Sequence, residues 1–121
     1  MALTPRLRSG LGLIVLILAV GGASEAWRAW SSARVGSEVA ALARPGDIEM
    51  ISSDTCVYCA QARAWFAEHS VPFSECSIER DAACAARFAA LLSPGTPVLL
   101  VRGRPQVGFS PQRVAEALRR S

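Results

Sequence analysis

The chain contains no lysine and a single histidine, His69. That histidine falls at the predicted end of a helix, where a cation is favoured, so it reads as a cap or a solvated side chain. No cysteine–histidine nucleophile pair can therefore be assembled. Charged residues are also scarce, at 19%, while 51% of the chain is hydrophobic. That is enough apolar material for a core, which excludes a disordered chain. A length of 121 residues excludes a multidomain enzyme. A basic footprint is missing where nucleic acid would need one. The net charge is +3, but it sits in residues 1–46, where Arg6, Arg8, Arg28, Arg34 and Arg44 face only Glu25 and Glu38. Residues 47–121 carry eight arginines against eight acidic side chains and are neutral. No nucleic-acid partner is expected. The missing lysines look like a composition bias and carry no function.

The chain opens with a short basic N-terminus, residues 1–8, holding Arg6 and Arg8. An apolar run from Leu11 to Ala23 follows, interrupted only by glycine. As a helix this run rises roughly 20 Å, short of the roughly 30 Å hydrocarbon core of a bilayer. Two readings stand. It is a cleaved signal peptide, with small-x-small sites at Ala19-Val20-Gly21 and Ser24-Glu25-Ala26. Or it is an uncleaved anchor over residues 9–26, with Trp27 and Trp30 as interfacial aromatics. Either way the C-terminal part is exported, with the arginines on the short side. Residues 27–46 read as a connecting helix, with Trp27, Val35, Val39 and Leu42 near one face, ended by Arg44-Pro45-Gly46.

Residues 47–121 read as the domain. Ile48 to Ile51 is a short strand, and Ser52 to Thr55 a polar loop. A helix runs from Cys56 through His69, broken by Val71-Pro72, with Ala62, Trp65 and Phe66 on one face. Phe73 to Ile78 fits a strand, and Arg80 to Leu92 an alanine-rich helix stopped at Ser93-Pro94-Gly95. Val98 to Val101 is a continuous apolar run, as a central strand is. A turn at Arg102 to Pro105 precedes a last strand, Gln106 to Gly108. Ser110 is a natural N-cap with Pro111 at the first position of the final helix. The order β-α-β-α-β-β-α gives an α/β fold with parallel strands first and a hairpin last, closing a mixed four-stranded sheet.

Cys56-Val57-Tyr58-Cys59 lies just after a strand and at a helix start, where free N–H groups and the helix dipole favour thiolate over thiol. Cys56, at the exposed start, is the expected nucleophile, and Cys59, one turn in, the resolving thiol. Asp54 opposes thiolate formation, and Arg63 on the second turn favours it weakly. Cys76 and Cys84 form the second pair. They are a structural disulfide candidate in an exported domain, or two buried, inert thiols. Their spacing does not suit a four-cysteine metal site, and no metal is expected.

With Gly95-Thr96-Pro97 ahead of the apolar strand, the chain resembles the glutaredoxins of the thioredoxin superfamily, over residues 47–118 and in a bacterial, membrane-anchored form. The resemblance implies a thioredoxin-like fold and a cis-proline at Pro97 facing the CxxC motif. It implies substrate-binding roles for Tyr58, Thr96, Pro97 and Gly108, and glutathione as a possible co-substrate with no bound cofactor. Three positions depart from the pattern: Val57 replaces a proline, Ser53 a lysine, and Gly108-Phe109-Ser110-Pro111 the usual Gly-Gly step. Gly-Phe-x-Pro is similar to the glutaredoxin-like electron donors of ribonucleotide reductase, which thioredoxin reductase reduces.

The expectation is a thiol–disulfide oxidoreductase acting on protein or glutathione disulfides, tethered by its N-terminal helix to a bacterial inner membrane with the domain on the periplasmic side. The reductant is not identified. The alternatives are an iron–sulfur or metal carrier using Cys56, and a non-catalytic docking module. Trp65 and Phe66 read as core, and Arg102 and Arg104, flanking a turn, as solvent-exposed.

Overall fold

The structure is a computed structural model and describes residues 5–121. The first four positions of the expected basic N-terminus lie outside the described residues. The described residues form two compact units that divide between Ala33 and Arg34. The first helix, α1 (Pro5–Leu42), contributes to both.

In the first unit, the apolar side chains from Leu7 to Val20 are all exposed, with Leu18 at 69%. Their mean hydropathy, 1.8 over the most apolar stretch, makes the helix long and apolar enough to cross a membrane. A signal sequence has the same character. Trp27 and Trp30 pack ring against ring with centroids 5.2 Å apart.

The second unit is α/β. After α1 come β1 (Ile48–Ser52), α2 (Val57–Glu68), β2 (Ser74–Ser77), α3 (Ala82–Leu91), β3 (Val98–Val101), β4 (Arg104–Val107) and α4 (Pro111–Arg120). The strands form one mixed sheet in the order β2-β1-β3-β4. β1 pairs parallel with β2, Ile51 opposite Cys76, and antiparallel with β3, Met50 opposite Leu99. β3 turns into β4 through Arg102 (φ 49°) and Gly103 (φ 81°). Two consecutive left-handed residues match the twist of a two-residue hairpin. Pro105 is tolerated because β4 is an edge strand.

Side chains alternate across the sheet. Ile48, Met50, Leu99 and Val101 face a core shared with Phe66 and Ala62 of α2, Val114 and Leu118 of α4, and Val39 of α1. Ile51 and Val98 point the other way, onto Cys84 of α3 with Phe88 and Leu91 around them. Val39 is fully buried, so residues 34–42 of α1 complete this core although they precede β1.

Arg102 is exposed, as expected of a turn residue, yet its side chain is not free in solvent. Its guanidinium donates to the carbonyls of Leu118 (3.0 Å), Ser121 (3.1 Å) and Leu42 (3.4 Å), and pairs with Asp47 at 3.3 Å. The carbonyls at the end of a helix have no intrahelical donors, and a five-donor fork is suited to gather them. His69 occupies the C-cap position of α2, its ring 4.5 Å from that of Trp65. The ring also meets Gly36, where an added Cβ would lie 2.1 Å from His69 Nδ1.

Glycine inside a helix costs about 0.5–1 kcal/mol relative to alanine, so Gly36→Ala would stabilise an open helix face. Here the ring contact reverses the sign: Gly36→Ala is expected to lower stability by about 1–3 kcal/mol. Adding His69→Ala should remove that loss. Thermal melts of the two variants check both statements.

Candidate active site

The site forms where β1 ends. Ser52 is buried, and its hydroxyl donates to the Cys76 carbonyl at 3.1 Å, which ties β1 to β2 at the mouth of the sheet. The chain then turns, with the Cys56 N–H on the Ser53 carbonyl at 3.3 Å, and enters α2. Cys56 is the N-cap of α2, in an extended conformation, and its sulfur accepts the Cys59 N–H at 3.0 Å. A sulfur thus takes the place usually filled by a serine or aspartate oxygen, against the unsatisfied N–H groups of the first turn.

Cys56 and Cys59 are joined as a disulfide, with Cα atoms 5.2 Å apart. Cys56 is half-buried, whereas Cys59 is fully buried in the core. Val57 and Tyr58 between them are exposed, at 68% and 63%. The Thr96–Pro97 peptide is cis, and Pro97 is buried. The Thr96 hydroxyl lies 3.0 Å from that of Ser53, so the loop leading to Cys56 and the head of β3 are in contact. The Pro97 carbonyl accepts the Gly108 N–H at 2.8 Å, which brings Gly108 (φ 79°) to the same end of the sheet. Cys56, Cys59, Thr96, Pro97 and Gly108 therefore gather at one pole of the domain, with Tyr58 exposed on the first turn of α2.

The second pair, Cys76 and Cys84, is also bonded, with Cα atoms 6.0 Å apart. It joins β2 to the first turn of α3. Cys84 is 2% exposed and belongs to the core on the far side of the sheet. Closing so short a loop restricts the unfolded chain by roughly 2–3 kcal/mol in the chain-entropy account.

Three features of the site are absent from the sequence reading. A polar groove of about 690 Å³ runs beside Cys56, walled by Ser53, Asp54, Arg63, Glu75 and Arg80. Arg63 lines this groove together with Cys56, but its guanidinium is committed elsewhere. Its guanidinium is held by Glu75, Nε to Oε1 at 2.8 Å and Nη2 to Oε2 at 2.7 Å. Parallel pairing places Glu75 opposite Met50, on the sheet face that α2 covers, and this register is invisible in the spacing of α2 alone. Phe109 packs on Trp65 and Phe66, with centroids 5.7 and 5.5 Å away. Each residue of Gly108-Phe109-Ser110-Pro111 thus has a folding role: a left-handed turn, an aromatic contact, the N-cap of α4 and its first residue.

The Arg63 guanidinium, hydrogen-bonded to Glu75, holds that carboxyl below the usual range, opposed by partial burial. A depressed carboxylate stabilises the fold fully above its unfolded pKa, and that contribution is lost as pH falls through the lower folded value. The stability gap between the natural chain and Glu75→Gln is therefore expected to be present at neutral pH and to close on acidification below about pH 4. Urea denaturation at a series of pH values checks this.

Residues 48–105 match the glutaredoxin family model. No curated protein matches the chain. Among solved structures, the glutaredoxin-like protein NrdH-redoxin from Escherichia coli superposes with a TM-score of 0.52 at 19% identity, covering 57% of this chain and 91% of its own. The thioredoxin-like protein BC3987 gives 0.52 at 22%, covering 58% and 97%. The glutaredoxin from Archaeoglobus fulgidus gives 0.50 at 16%, covering 60% and 86%.

Proposed function

We propose that this chain, whose C-terminal unit is a glutaredoxin-like domain of the thioredoxin superfamily, is a membrane-tethered thiol–disulfide oxidoreductase working on protein or glutathione disulfides. The supporting observation is Cys56 at the N-cap of α2, half-buried at the domain's pole and bonded to a fully buried Cys59.

In the reaction, the Cys56 thiolate attacks one sulfur of the substrate disulfide. A Cys56–substrate bond forms and the other substrate sulfur leaves as a thiolate. Cys59 then attacks Cys56 Sγ, closing the intramolecular disulfide and expelling the second substrate sulfur. Two electrons pass from the protein dithiol to the substrate. The Cys59 N–H on Cys56 Sγ, together with the helix dipole, favours the attacking thiolate. Burial of Cys59 lets a substrate reach Cys56 first. Thr96 and Pro97 offer the backbone against which an extended substrate segment lies, with Tyr58 and Gly108 flanking it. Glutathione is a possible co-substrate. Ser53, being neutral, offers its carboxylate no cation, and its hydroxyl is engaged by Thr96.

The tether reading rests on the exposed apolar side chains of α1 and on Arg6 and Arg8 ahead of them. In this reading the domain lies on the periplasmic face of a bacterial inner membrane. A reporter fused after Ser121 and active only in the periplasm should give signal there; signal only from a cytosolic reporter would reverse the topology.

Cys56→Ser should abolish reduction of a model mixed disulfide by the full chain. Cys59→Ser should retain the first attack and accumulate a Cys56–substrate adduct visible by mass spectrometry. Undiminished turnover by Cys56→Ser would overturn the reading.

A further inference from the structure

The loop that delivers Cys56 is held by an unusual partner, the segment enclosed by the second disulfide. The Asp54 N–H donates to Glu79 Oε2 at 3.1 Å, and the Ser77 hydroxyl donates to Asp54 Oδ1 at 3.3 Å. Arg80 Nε lies 3.2 Å from the same Oδ1. Just upstream, the Ile78 N–H bonds the Ser52 carbonyl at 3.0 Å. Ser77, Ile78, Glu79 and Arg80 all belong to the loop that Cys76–Cys84 closes. One end of this loop is fixed by β2. The other is fixed by the disulfide and by Asp81, which caps α3 through the Ala83 and Cys84 N–H groups.

We propose that Arg80, carried on the loop closed by Cys76–Cys84, is a positioning residue that neutralises Asp54 and so keeps Cys56 reactive. The proposal rests on Cys56 being the attacking sulfur. A carboxylate two residues from a thiol, lining the same groove, disfavours the thiolate. The charged groups on this groove are Asp54, Arg63, Glu75, Arg80 and Asp81, with Glu79 adjoining. Arg63 is committed to Glu75, and Asp81 to the α3 cap. Glu79 accepts the Asp54 N–H and shares the one Ser77 hydroxyl proton with Asp54. Arg80 is the cation left for Asp54.

The side chains of Arg80 and Asp54 are 78% and 44% exposed. A pair this open contributes little to folding and weakens with salt. Its effect is therefore felt in the charge balance beside Cys56. The second disulfide gains a role beyond holding the core, because it fixes the backbone from which Arg80 reaches across.

The test uses the full-length chain in detergent with Cys59→Ala, which leaves Cys56 as a free thiol and Cys76–Cys84 intact, the latter verified by mass. The readout is the rate of Cys56 alkylation by iodoacetamide between about pH 5 and pH 9, where cysteine thiols titrate. Arg80→Gln should move the midpoint upward and slow alkylation below it by about two- to fourfold. Asp54→Asn should move the midpoint downward and abolish the effect of Arg80→Gln. The high-pH plateau should stay unchanged throughout. Replacing Cys76 and Cys84 by alanine should reproduce the Arg80→Gln shift. An unshifted Arg80→Gln profile, a shift that survives in Asp54→Asn, or a change confined to the plateau would overturn the proposal. An unshifted profile in the double-alanine variant would overturn the part given to the second disulfide. The readout is alkylation rather than turnover, so loss of catalysis with these shifts intact would count against the proposed function alone.

Discussion

The structure depends on β1 being held on both edges and both faces at once. Its backbone pairs with β2 on one side and β3 on the other. Ile48, Met50 and Ile51 are fully buried, two toward α2 and α4 and one toward α3. With no free edge, β1 is also fixed in register, since a slip of one residue would carry Glu49, partly exposed and paired with Arg87, into the core beneath α2 and α4. Cys56, four residues beyond its end, therefore appears at a fixed place, and α2 begins there because the cysteine itself caps it.

The two faces of the sheet are stabilised differently. The face toward α2 and α4 carries most of the buried side chains, and residues 34–42 extend it through Val39. The face toward α3 is thin, because α3 is rich in alanine and buries only Cys84 fully. A domain of this size has little surplus burial to spare. The Cys76–Cys84 bond lies on that thinner face and secures both β2 and the start of α3. The same bond encloses the residues that engage the loop before Cys56, so core stability and site geometry share one covalent link.

Much of this was legible in the residues themselves. Val98 to Val101 reads as a buried strand because every position is apolar, and Ser110-Pro111 marks the start of α4 because cap chemistry is local. The CxxC motif after a strand, with Thr96-Pro97 ahead of another, carries the fold. What stayed hidden depends on register and distance in space. Helical spacing put Arg63 near the sulfur, and it does line the groove beside Cys56, but the β1–β2 pairing that gives its charge to Glu75 was not visible. Arg102 reads as a turn residue until the ends of α1 and α4 bring their carbonyls to it. Periodicity likewise put Trp27 on one face with Val39; the structure buries Val39 and leaves Trp27 66% exposed. A repeat along a helix reveals a face and cannot show where along its length that face finds a partner.

The central claim is that the two disulfides have different work, Cys56–Cys59 exchanging electrons and Cys76–Cys84 holding the structure. Equilibrating the full chain against graded thiol–disulfide buffers, and reading each pair separately by alkylation and mass spectrometry, measures this directly. The account predicts that Cys56–Cys59 titrates above about −300 mV, within the range of redox-active pairs, and that Cys76–Cys84 stays oxidised to lower potentials. A Cys56–Cys59 pair that resists reduction as firmly as Cys76–Cys84, below about −300 mV, would mark both as structural and contradict the account.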